Sequence, residues 1–163
     1  MSCSNDDTSP EQNLEFVTAI YDGDKNFESS PDTKEIEFNR ADIESGNRLK
    51  IKARHDRPHS NFVSIYIDIK DYNGVGTYSV GDSEEVGSSM KLTFGRNDFS
   101  VYTCDYNERD MPGFEPGTLI ITKDDGEIME GTFSFKAFET VSRSIEVTNG
   151  KFKIGLGVYP RLY

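Results

Sequence analysis

The chain has no tryptophan, two cysteines, two histidines and six prolines in 163 residues. With thiols only at Cys3 and Cys104 and imidazoles only at His55 and His59, few donors exist for a metal centre or a nucleophile–base pair. No stretch approaches the roughly 18 consecutive apolar residues of a membrane-spanning helix. No hydrophobic signal core precedes the polar start MSCSNDDTSP. Positive charge is also scarce: 18 Lys+Arg stand against 29 Asp+Glu, a net charge of −11. That field repels phosphate backbones, which argues against nucleic acid as a partner, and it favours cationic surfaces while keeping the chain soluble.

Aromatic residues are plentiful, at 12% with 11 Phe and 8 Tyr, which argues against disorder. The length suits a single domain that buries its own core without a metal or disulfide staple. Residues 1–13 are polar and aperiodic and read as a flexible tether, leaving 14–163 as the folded domain.

From Leu14 onward short runs alternate apolar and polar residues. NFVSIYIDIK sets Val63, Ile65, Ile67 and Ile69 against Ser64, Tyr66, Asp68 and Lys70. RLKIKAR, SMKLTFG, GTFSFKAF and SIEVTNGKFKI repeat the pattern. A period of two marks strands with one buried and one wet face. Asp22-Gly23, Asn73-Gly74, Asp125-Gly126 and Asn149-Gly150 are the dipeptides that accept positive φ in tight hairpins. About ten strands with no helical stripe predict an all-β, antiparallel domain, either a β-sandwich (the preferred form) or a closed or partly open, lipocalin-like barrel. The expected core is Val63, Ile65, Ile67, Leu92, Phe94, Phe133, Phe135, Ile145, Val147, Phe152 and Ile154.

Chemistry is sparse. Cys104, in the strand-like FSVYTC, reads as a small buried hydrophobe rather than a reactive thiol. His55, Asp56 and His59 form the best metal or acid–base candidate, but they match no zinc spacing and Arg54 and Arg57 flank them. DGDKNFESSPDT begins like a calcium loop, then places Phe27 where glycine is needed and Thr33 where the bidentate glutamate belongs. No catalytic residues, metal or cofactor are therefore expected, and the chain reads as a non-enzymatic binding domain. Tyr66 and Tyr102 are expected on outer faces. The segment 102–117, with Tyr102, Tyr106, Met111 and Phe114 among acidic residues, is the candidate interaction loop.

The C-terminal third, GTLIITKDDGEIMEGTFSFKAFETVSRSIEVTNGKFKI, resembles a group of Bacteroidota lipoproteins patterned GTL-x-IT, I-x-GTF-x-F-x-A and V-T-NG-x-F. GVGTYSV and TAIYDGDKNF extend the resemblance over residues 15–155. It implies a lipid anchor on Cys3, where the signal peptide of such proteins ends, and an outer-membrane location on the periplasmic or surface side. The acidic residues after Cys3 are similar to the surface-export signal of that group. The partners expected are the membrane, through that anchor, and an envelope protein or a glycan; the alternative is a cationic protein that the domain inhibits in the manner of an immunity lipoprotein.

Overall fold

The computed structural model describes residues 15–29, 35–40, 47–58, 61–83, 87–96 and 99–155. The tether 1–13, with Cys3, lies outside them. Eleven strands are found among the described residues: β1 (Phe16–Tyr21), β2 (Lys25–Glu28), β3 (Glu35–Arg40), β4 (Asn47–Asp56), β5 (Phe62–Lys70), β6 (Gly76–Val80), β7 (Ser89–Gly95), β8 (Ser100–Cys104), β9 (Gly117–Asp124), β10 (Ile128–Thr140) and β11 (Arg143–Gly155). All pairings are antiparallel, in one sheet ordered β2-β1-β11-β10-β8-β7-β5-β4-β3, with β9 on β10 and β6 on β9. The all-β class is as expected, and the sheet curls strongly into a half-barrel.

The curl brings distant strands together. Tyr21 on β1 meets Phe94 on β7 with ring centroids 5.9 Å apart. The outer strand β2 reaches β4, where His55 Nδ1 lies 2.5 Å from the Glu28 carbonyl oxygen, so that this ring nitrogen donates. Inward residues of the curled strands, from Val17 on β1 to Ile154 on β11, form a single core, and of the eleven residues expected there all are buried except Phe94, which packs half-buried against it.

β10 organises the whole. It pairs with β11 along its length, from Ile128 opposite Gly155 to Thr140 opposite Arg143. Its other edge changes partner: β9 lines Met129–Ser134, whereas β8 meets it at Phe138. The sheet forks there, and residues 105–116 bridge the fork from the end of β8 to the start of β9. At the fork a Cβ on Gly117 would stand 3.0 Å from Phe135 Cβ and 3.1 Å from Met90 Sδ, so a side chain there would require these neighbours to give way where β9 starts.

The turn chemistry differs from expectation at two places. Asn73-Gly74, expected as a hairpin, joins β5 to β6, which do not pair with each other, since β5 lies between β4 and β7 and β6 lies on β9. Asp22-Gly23 makes the β1–β2 turn, with φ of 51° and 84°, and Asp125-Gly126 the β9–β10 turn. Asn149-Gly150, expected as a hairpin, lies inside β11. There Asn149 takes φ 51°, and the registers with β10 and β1 slip alongside it. The extra residue is a bulge, which raises local twist and helps a 13-residue strand follow the curl.

Candidate functional site

The candidate loop begins one residue after β8. Asp105 caps a single 3-10 turn, Tyr106–Glu108, through its Oδ1, which accepts the Asn107 N–H at 2.7 Å. Glu108 Oε2 reciprocally accepts the Asp105 N–H at 3.2 Å, completing a capping box. Successive backbone bonds, Met111 N–H to the Glu108 carbonyl and Phe114 N–H to the Met111 carbonyl, carry the chain back toward β9. Of the aromatic residues assigned to this loop, Phe114 packs its ring 6.3 Å from Phe138 and also contacts the core. Phe138 points outward from β10 opposite Thr103 and is buried beneath this cover. Tyr106 and Met111 are half-buried, and Arg109 lies 4.7 Å over the Tyr106 ring.

Tyr102 does not belong with them. It sits on β8 opposite Leu92, faces the interior and is 6% exposed. Its expected outer position is thus corrected: Tyr102 and Cys104 take the inward parity of β8, while Val101 and Thr103 face out. The phenol stays bonded because it accepts from Arg143 Nη2 at 3.1 Å.

Electrostatics in the loop are uneven. Burial, and then the neighbouring Asp105 carboxylate, raise Glu108 to about 7, so this acid changes charge near neutrality. Cys104 is free and fully buried, and burial pushes its thiol up to about 11. A thiol in that state is neither a nucleophile nor a metal ligand near pH 7.

The histidine cluster does not converge. His55 and Asp56 are consecutive on β4, opposite Val63 and Phe62, so their side chains leave opposite faces. His55 lies with its ring centroid 6.1 Å from that of Phe27 and contacts the Glu28 carbonyl, while Asp56 meets Arg54 at 2.8 Å. His59 lies outside the described residues. At the start of the calcium-like segment, the Lys25 ammonium pairs with Asp22 across the turn. No group of three or more metal-ligating side chains is found among the described residues.

One charged constellation escaped the sequence reading. Asp68, 4% exposed, lies on the outer face of β5 between Lys50 and Ser89 in register. Arg48 grips it with two bonds, Nε to Oδ1 at 2.6 Å and Nη2 to Oδ2 at 2.5 Å, and the Tyr66 hydroxyl donates to Oδ2 at 3.0 Å. This contact raises the Arg48 pKa above its ordinary value. Nearby, the Tyr72 hydroxyl donates to Asp124 at 2.8 Å, and burial followed by that carboxylate pushes the phenol far above its usual range. Both arrangements tie strands together and offer no open reacting group.

The forked, half-barrel sheet thus defines an all-β protein whose polar clusters are mainly structural. The chain belongs to the family described as a domain of unknown function (DUF6252), which matches residues 36–154. No curated protein and no solved structure matches it.

Proposed function

We propose that the chain is a lipid-anchored cell-envelope domain, attached through an acylated Cys3 and acting by surface recognition rather than catalysis. The observation supporting recognition at the surface is the filled interior. Tyr21, Phe27, Phe152 and nine aliphatic side chains are each under 2% exposed, so the half-barrel packs as a core. A lipocalin-like ligand needs a cavity of several hundred Å³ inside such a sheet. Recognition then falls to loops and outer faces, where side chains are presented by a rigid scaffold. The anchor rests on the resemblance of the residues around Cys3 and of the strand motifs to envelope lipoproteins. A multiply acylated cysteine supplies the two or more chains that stable attachment takes.

Fractionation of a native host carrying the full precursor tests this reading. The wild-type chain should sediment with membranes and Cys3→Ala should be soluble. Retention of Cys3→Ala in the membrane fraction removes the anchor from Cys3, and substrate turnover that disappears in His55→Ala replaces recognition with catalysis.

A further inference from the structure

Phe138 is 3% exposed, yet it points outward from β10 and stands apart from the core that the inward residues form. An outward aromatic on a sheet is dry only where something lies over it. Its cover is the segment 105–116, whose Phe114 ring lies 6.3 Å away, together with Lys136, whose Nζ is 5.6 Å from the Phe138 ring centroid. Every hydrogen bond of residues 105–116 found among the described residues closes within the segment. Asp105 and Glu108 interlock as the capping box, and the N–H groups of Arg109, Met111 and Phe114 each bond a carbonyl three residues back. None ties the segment to a strand. Its two ends are neighbours, since a Cβ on Gly117 would stand 3.4 Å from Cys104 Sγ. A compact loop that bonds only to itself can lift as one piece while the sheet stays intact.

Phe114 is the clasp. It packs half-buried against the core, and Gly81, just past β6, gives it room, since a Cβ there would stand 2.8 Å from Phe114 Cζ. Charge works against the clasp. Asp105 and Glu108 lie side by side, Asp110 and Glu115 follow on the same loop, and Asp82 comes directly after Gly81, which abuts the Asp105 backbone. The cations of this corner are engaged elsewhere. Arg109 lies over the Tyr106 ring and reaches Asp110 at 3.8 Å, and Lys136 lies under Gly113 and over Phe138. From β8 the facing group is the Cys104 thiol, which burial keeps protonated near pH 7. Two half-buried carboxyl groups in contact, with no cation beside them, favour a state in which one holds a proton. Glu108 is that one, raised to about 7 by burial and then by Asp105.

We propose that residues 105–116 form a proton-gated lid, closed over Phe138 while Asp105 and Glu108 share one proton and lifting when that proton leaves. Opening bares an aromatic surface, Phe114 and Phe138 beside Lys136, that the closed sheet does not present. The inference goes beyond the recognition reading and stands or falls without it. Opening returns Glu108 to water and to the ordinary carboxylate value of 4.5. Below that value both states carry the proton, and pH favours neither. Between 4.5 and 7 only the closed lid keeps it, so each step up in pH favours opening; above 7 both states have lost it and the effect levels off. Glu108 is partly solvated, which screens some of the effect and leaves a rise in the open population of about thirtyfold across that window.

Native-state hydrogen exchange of the full chain, followed by NMR from pH 4.5 to 7.5 and repeated in low urea, tests the lid. The amides of Met111 and Phe114, whose bonds close the loop, report on it, and those of Ile65 and Leu92 report on the core. After correction for intrinsic rates, protection of Met111 and Phe114 should fall about thirtyfold as pH rises. Their exchange should be insensitive to urea, the mark of a local opening, while Ile65 and Leu92 stay at least tenfold better protected. Glu108→Gln, which keeps a hydrogen-bond acceptor and cannot ionise, should abolish the fall. Phe114→Ala should lower Met111 protection at least tenfold at every pH by removing the clasp. Loop amides that exchange with the protection and urea dependence of the core overturn the proposal, because the lid and the domain then open together. A flat wild-type profile, a wild-type slope in Glu108→Gln, or unchanged protection in Phe114→Ala also overturns it.

Discussion

Removing Arg48 should expose how much the outer face of β4 and β5 depends on one ion pair. Arg48→Met keeps most of the side chain's apolar stem and deletes both charge-assisted bonds to Asp68. The Arg48 side chain is 35% exposed and that of Asp68 5%, so the pair falls between two regimes. Exposed pairs contribute under about 1 kcal/mol. Breaking a buried pair costs about 3–5 kcal/mol, mostly because the abandoned charge stays desolvated. With one partner wet and the Tyr66 bond remaining, Arg48→Met should cost about 2–3 kcal/mol. Asp68→Asn, which strands no charge in the interior, should cost less, about 1–2 kcal/mol. The double variant Arg48→Met/Asp68→Leu should recover much of the loss, since neither buried charge remains. Urea unfolding followed by fluorescence or circular dichroism gives each value from the midpoint, provided the m-value is unchanged. A cost below about 0.5 kcal/mol for Arg48→Met, or a double variant as unstable as the sum of the singles, would refute this reasoning.

Glu108 gives a pH dependence whose sign is fixed. Its folded-state value near 7 exceeds the ordinary carboxylate value of 4.5, so the folded chain holds a proton that the unfolded chain releases between those values. Stability should be greater at pH 5 and fall as pH rises toward 7, and Glu108→Gln should flatten that part of a melting-temperature profile; an unchanged slope in the variant contradicts the assignment. Gly117→Ala should cost about 1–3 kcal/mol by crowding Phe135 and Met90 at the fork, and a neutral result in urea unfolding would mean β9 starts with room to spare. In a Cys3→Ser background, Cys104 should resist a disulfide reagent at pH 7 until denaturant opens the core; immediate labelling of the native chain rules out its burial as a protonated thiol.

Much of the scaffold was legible because one-sided burial imprints a period of two. Val63, Ile65 and Ile67 announce β5, and every expected core residue except half-buried Phe94 is buried. The misreadings occur where the local signal is ambiguous. SVYTC places Val101 and Tyr102 side by side, so the sequence does not say which faces inward, and pairing of Tyr102 with Leu92 decides it. Asn149-Gly150 suits a turn and a bulge equally, because both accept the left-handed backbone that Asn149 adopts. The Arg48–Asp68 pair joins residues twenty apart, and its only sequence trace is an aspartate inside an isoleucine run. Phe138 breaks the inward rhythm of GTFSFKAF, and the covering of its outward face by Phe114, far away in sequence, accounts for it.

The reading of this chain as an anchored domain stands or falls at residue 3. Intact mass and fragmentation of the mature protein extracted from native envelopes measure that residue directly. The account predicts a chain whose first residue is Cys3, carrying a thioether-linked diacylglycerol and an acylated amine. A mature chain that retains Met1 and Ser2, or begins at an unmodified Cys3, contradicts it.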